Sequence, residues 1–129
     1  MPAARELSYV SGLAAQPLLG DTVGALLDRI AAAHPDRPAL VVREQGVRMD
    51  YRGFHAQVEQ VAAGLLALGL EPGERVGIWS PNRAEWVLLQ FATAKAGLIL
   101  VNINPAYRAQ ELEYALNKVG CKAIVAAEA

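Results

Sequence analysis

From Arg75 onward the chain alternates short apolar runs with helical stripes, and few folds tolerate that order. Val76-Gly77-Ile78-Trp79 has the look of a strand, and the stretch from Ala84 to Ala96 follows as a helix that is apolar nearly all round. Leu98 to Val101 is a second apolar run, Leu112, Ala115, Leu116 and Val119 form the stripe of another helix, and Ala123 to Ala126 closes the series. Strands that alternate with helices in this way join through crossovers and lie parallel in one sheet. The sequence therefore predicts an α/β protein of βαβ units with a mostly parallel sheet. The continuous run Leu98 to Val101 is expected to be buried on both faces, as in a parallel sheet covered by helices.

Ahead of this series the spacing of Val23, Leu26, Leu27 and Ile30 predicts a helix that stops at His34-Pro35. Ala39 to Arg43, the turn Gln45-Gly46 and Val47 to Met49 predict a hairpin. A longer helix follows, with Phe54, Val58, Val61, Leu65 and Leu68 on its apolar face and Gly69 at its end. Asp21 and Asp50 stand where helix N-caps belong, and Asn82 with Glu85 three residues on resembles a capping box. Gly120 is the expected C-terminal cap of the last helix. Residues 1–20 read as an N-terminal arm, and 21–129 as an incomplete α/β subdomain.

With 129 residues the chain is long enough to bury a real core. Its hydrophobic fraction of 53% and mean hydropathy of +0.21 argue against disorder. No apolar stretch reaches the roughly 20 residues of a membrane span, and the opening residues lack an uninterrupted apolar region of signal type. A net charge of −1 leaves no electrostatic footprint for nucleic acid. Cys121 stands alone, so neither an internal disulfide nor a cysteine metal cluster can form. A cytoplasmic setting is the expectation.

Side chains able to do chemistry are scarce. Threonine occurs only at 22 and 93, and the two histidines, His34 and His55, are far apart. No P-loop or dinucleotide fingerprint is present, because the glycine cluster Gly69, Gly73 and Gly77 leads into a strand instead of following one. His55 shows no partner nearby in the sequence and reads as a surface residue. Lys95 and Arg108 read as solvated cations, Trp79 and Trp86 as core, and Cys121 as a small hydrophobe. The one segment placed like a ligand loop is Asn104-Pro105-Ala106-Tyr107, at the C-terminal end of a strand where open α/β sheets form their crevices. Its asparagines also suit the simpler task of satisfying loop backbone.

Taken in order, several short motifs resemble the opening region of the adenylate-forming enzymes, in the fatty-acyl-CoA synthetase branch. They are Leu19-Gly20-Asp21-Thr22, His34 to Leu40, Tyr51, Ala63-Gly64-Leu65, Leu68 to Val76, Ser80-Pro81-Asn82, Ala94-Lys95-Ala96-Gly97, Asn102-Ile103-Asn104-Pro105 and Glu111-Leu112. The resemblance implies a ligase that uses ATP, magnesium and coenzyme A. A fatty acid is first joined to AMP with release of pyrophosphate, and coenzyme A thiolate then displaces AMP. Adenylation is needed because a free carboxylate is a poor electrophile. It also implies that the chain is an N-terminal piece of a longer protein, whose phosphate loop and adenylating lysine lie elsewhere. Such a piece is expected to be inactive alone, to bind none of these cofactors tightly, and to have the rest of its synthetase chain as partner. Self-association through uncovered apolar faces is a further expectation. Within the piece the resemblance implies no catalytic or metal-binding residue; Asn104, Pro105, Ala106 and Tyr107 would border the coenzyme A channel. An aryl-acid or amino-acid adenylating relative, or a free-standing α/β binding module, are the alternatives.

Overall fold

The computed structural model describes Gly12 and residues 15–128. Most of the predicted arm, residues 1–20, lies outside the described residues. The order is α1 (Val23–Ala33), β1 (Pro38–Val42), a short 3-10 turn (Arg43–Gln45), β2 (Val47–Asp50), α2 (Tyr51–Ala67), β3 (Arg75–Trp79), α3 (Ala84–Ala96), β4 (Ile99–Ile103), α4 (Ala109–Val119) and β5 (Cys121–Ala126). β1 and β2 form the expected antiparallel hairpin, with Val42 opposite Val47. The other strands form one parallel sheet in the order β4-β3-β5.

β3 is the central strand, and it, not β4, is buried on both faces. Val76, Gly77 and Ile78 are all buried, whereas Ile99 on β4 is 46% exposed. The expectation for Leu98 to Val101 fails because β4 lies at a sheet edge, where only one neighbour shields it. Val76 and Ile78 join Phe54, Val58 and Leu65 of α2 and Leu88, Leu89 and Ala92 of α3 in the main core. Phe54 and Phe91 meet edge to face at 5.3 Å, which fixes how the two helices cross. Leu68 does not join that face and is 76% exposed, since α2 stops at Ala67. Trp86 packs against the core only half-buried, and Trp79 is half-buried with its indole Nε1 shielded and without a partner.

Gly77 faces the opposite way from Val76 and Ile78, as strand alternation requires. A Cβ placed there would stand 2.9 Å from Ile103 Cδ1 and 3.4 Å from Leu116 Cδ2 of α4. α3 and α4 therefore cover opposite faces of the sheet, and the absence of a side chain at 77 lets α4 approach.

The helix starts differ from the sequence expectations. At α1 the cap is Thr22, whose hydroxyl accepts from the Ala25 amide at 3.2 Å, while Asp21 pairs with Arg29 at 2.6 Å. Asp50 caps α2 as expected, accepting from Gly53 at 2.8 Å. Asn82 does not cap α3; the helix begins after Arg83, and Gln45 from the hairpin turn supplies the acceptor, with its Oε1 2.6 Å from the Ala84 amide. Gln45 Nε2 also donates to Glu85 at 2.8 Å, the chief reason the Glu85 carboxyl is held below the usual range. α4 starts at Ala109, because Glu111 reaches back to accept from the Arg108 amide at 2.9 Å. Gly97 and Gly120 end α3 and α4 in the left-handed conformation, with φ of 73° and 63°.

Candidate functional site

Because α3 and α4 lie on opposite faces, the chain leaves the adjacent strands β3 and β4 in opposite directions. In open α/β sheets the C-terminal strand ends beside such a divergence are the usual ligand position. The segments at those ends are Ser80-Pro81-Asn82 after β3 and Asn104-Pro105-Ala106-Tyr107 after β4. The four residues singled out in the sequence thus belong to one exposed loop at the switch point.

Asn104 shapes that loop. Its side-chain Oδ1 accepts from the Ala106 amide at 3.0 Å, and its carbonyl accepts from the Tyr107 amide at 3.0 Å. These bonds turn the chain tightly around Pro105 and direct Tyr107 outward, 38% exposed. Beside the loop, between β4 and α4, runs a groove of about 630 Å³. Its floor is apolar, from Ile103 and Val119, and its rim carries Asn102, Tyr107, Gln110 and Tyr114. Lys118 stands at the same rim, donating to the Tyr114 hydroxyl at 2.9 Å. An apolar floor with an amide and hydroxyl rim suits an extended, amide-bearing chain. Glu111 also lines the groove, so one carboxylate and the Lys118 ammonium share the rim with these amides and hydroxyls.

A second cluster was not legible in the sequence. Lys95 is not a solvated cation: its side chain is only 12% exposed and pairs with Asp28 of α1 and Glu59 of α2. His55 is not without a partner, since its Nε2 lies 2.6 Å from Asp28 Oδ1 and 3.5 Å from Glu59. Hydrogen bonds from Lys95 and then from His55 hold the Asp28 carboxyl below its ordinary range. Burial pulls Lys95 the other way, yet bonds to Asp28 and Glu59 outweigh it and the ammonium is raised. Gly24 lies against the Lys95 stem, where a Cβ would come within 3.0 Å of Cγ. The available signals were the i,i+4 spacing of His55 and Glu59, and a lysine set among alanines on an apolar helix.

Arg108 is exposed, as expected of a solvated cation. Burial pushes the half-buried Cys121 thiol up, against a weaker opposing pull from Arg75. The threonines are committed as well: Thr22 caps α1, and the Thr93 hydroxyl bonds the Leu89 and Gln90 carbonyls. Magnesium does not fit the residues present. Asp28, His55 and Glu59 are the one three-donor group among the described residues, and the ammonium of Lys95 already lies against its carboxylates.

A parallel three-stranded sheet with helices on both faces defines an open α/β protein. Comparison narrows this, for residues 27–129 match the family model described as AMP-binding enzyme, and the chain belongs to that family. It is 53% identical over 118 residues to the mitochondrial medium-chain acyl-CoA ligase ACSF2 of Danio rerio, covering 92% of this chain and 20% of that protein. Identity to the Homo sapiens counterpart is 51% over 119 residues, covering 92% of this chain and 19% of the relative. Among solved structures, a Mycobacterium tuberculosis fatty acyl CoA synthetase superposes with a TM-score of 0.79 at 32% identity, over 81% of this chain and 21% of that one. The chain spans about a fifth of the length of the curated relatives it matches.

Proposed function

We propose that the chain is the N-terminal part of an ATP-dependent fatty-acyl-CoA synthetase. The observation that carries this reading is the 53% identity to a medium-chain acyl-CoA ligase across 92% of the chain. In the whole enzyme a fatty acid carboxylate attacks the α-phosphate of ATP, pyrophosphate leaves, and coenzyme A thiolate then takes the acyl group as AMP departs. The residues of this chain bind and position; none makes or breaks those bonds. The phosphate loop, the magnesium site and the adenylating lysine belong to the remaining part of the synthetase chain, which is also the partner for the apolar faces left open here. The chain alone is inactive, and pyrophosphate release with ATP, fatty acid and coenzyme A should stay at background. Turnover that follows the purified 129-residue chain would refute that.

Asn104, Pro105, Ala106 and Tyr107 border the channel for the pantetheine arm of coenzyme A. Support comes from the switch-point position and from the amide and hydroxyl rim of the adjoining groove. In the full-length enzyme, Asn104→Ala should slow thioester formation by up to about tenfold, the worth of one hydrogen bond. Pyrophosphate exchange should change far less. Equal loss in both half-reactions, with a lower melting temperature, would make the loop structural only. For location, the cytoplasm expected from the sequence stands against the mitochondrial naming of the relatives. No described helix is long and apolar enough to cross a membrane. Fractionation of cells carrying the tagged full-length protein decides between the two compartments.

A further inference from the structure

We propose that Lys95, Asp28, Glu59 and His55 form a proton-sensitive latch that fastens α1 to the α2–α3 pair. Among the described residues α1 packs chiefly on these two helices, and its buried residues are Gly24, Leu27 and Ala31. A helix docked on one side by three small or aliphatic residues is a natural unit of local opening. The polar part of the same interface is this cluster, which draws one residue from α1, two from α2 and one from α3.

The charges in the cluster do not balance. Two carboxylates face one ammonium, so one negative charge is left over while His55 is neutral. His55 Nε2 lies 2.6 Å from Asp28 Oδ1, an acceptor, and 3.5 Å from the Lys95 ammonium, a donor, so either tautomer of the neutral ring finds a partner there. A further proton gives both ring nitrogens a hydrogen and turns the imidazole into a second cation beside Asp28 and Glu59. The cluster is then neutral and α1 is held more tightly. Other charges near the interface are already engaged: Arg52, one turn before His55, pairs with Asp36 at 2.8 Å, and Arg29 of α1 pairs with Asp21 at 2.6 Å. His34 also caps the C-terminus of α1 but is exposed, so within the cluster His55 is the group whose protonation changes the charge balance.

Hydrogen-exchange mass spectrometry on the full-length protein tests this. Protection factors, corrected for intrinsic exchange, are compared between about pH 8 and about pH 6, the span in which imidazole commonly charges. Protection of residues 23–33 should rise about two- to fivefold at the lower pH, the scale of partly exposed ion pairs, while residues 75–79 stay constant. In His55→Gln the rise should vanish. Lys95→Met should lower protection of residues 23–33 by about tenfold or more, because it leaves two carboxylates facing each other. If Lys95→Met fails to fold, His55→Gln alone decides. A rise that persists in His55→Gln, a parallel change in residues 75–79, or no change in the wild type overturns the latch. So does protection that follows added zinc and chelator instead of pH, which would make the missing cation a metal ion.

Discussion

Gly77 shows how much one absent side chain can decide. It sits in the middle of the central strand, and its lack of a Cβ leaves room for Ile103 and Leu116 to close over β3. Gly77→Val should lower stability by about 1–3 kcal/mol, the usual cost of overpacking a tight core. Chemical denaturation should show it, with α4 peptides losing hydrogen-exchange protection first. The ionic residues give a different signature. Asp28 is held below the ordinary carboxylate range, so its contribution is complete above its unfolded value and fades only as pH falls through the lowered folded one. Lys95 is raised, so its contribution is complete below the ordinary lysine value and is lost as pH rises through the raised folded one. The melting-temperature gap between wild type and Asp28→Asn should therefore be open at neutral pH. It should close in acid, below the ordinary carboxylate value of about 4. A gap that survives at low pH would mean the substitution acts through packing alone.

At the scale of the elements, helix starts separate what a sequence displays from what only a fold supplies. Thr22→Ala removes a local cap and should cost about 1 kcal/mol. Gln45→Ala should cost a similar amount, yet it lies 39 residues from the amide it serves. Its effect should be felt at α3, as faster exchange of the amides at residues 84–87, and a change confined to the hairpin would count against the long-range cap. The same contrast explains which parts were legible in advance. β3, α3, the hairpin and the turns at Gly97 and Gly120 follow from periodicity and glycine, which act within a few residues. The cap at α3, the exposed edge position of β4 and the Lys95 cluster depend on which elements become neighbours. No window of sequence contains that information. Asn104-Pro105-Ala106-Tyr107 was visible because a loop after an apolar strand is a local pattern; the groove beside it became visible only once α4 was placed.

For the molecule as a whole, the decisive fact is how much apolar surface the fold leaves uncovered. Among the described residues both edges of the parallel sheet are open, β4 on one side and β5 on the other. Ile99, Ile124 and Val125 on those strands are 46%, 41% and 37% exposed, and Leu66 and Leu68 at the end of α2 are 46% and 76% exposed. A groove of about 460 Å³ lined by Leu65, Leu68, Leu88, Leu89 and Val125 runs between α2, α3 and β5. Open strand edges next to apolar patches are templates for pairing with another chain. In a relative five times longer, further elements of the same chain can cover such faces. The 129-residue chain by itself should instead associate with copies of itself. Sedimentation over a tenfold or wider concentration range should show a rising mean mass, and an apolar dye should bind at low concentration and be displaced as the mass grows. Leu68→Glu together with Val125→Lys places charge on the groove and should shift the equilibrium toward monomer without loss of helical signal. A chain that stays monomeric at every concentration, and binds no dye, would show that these faces are too small or too dispersed to hold a partner.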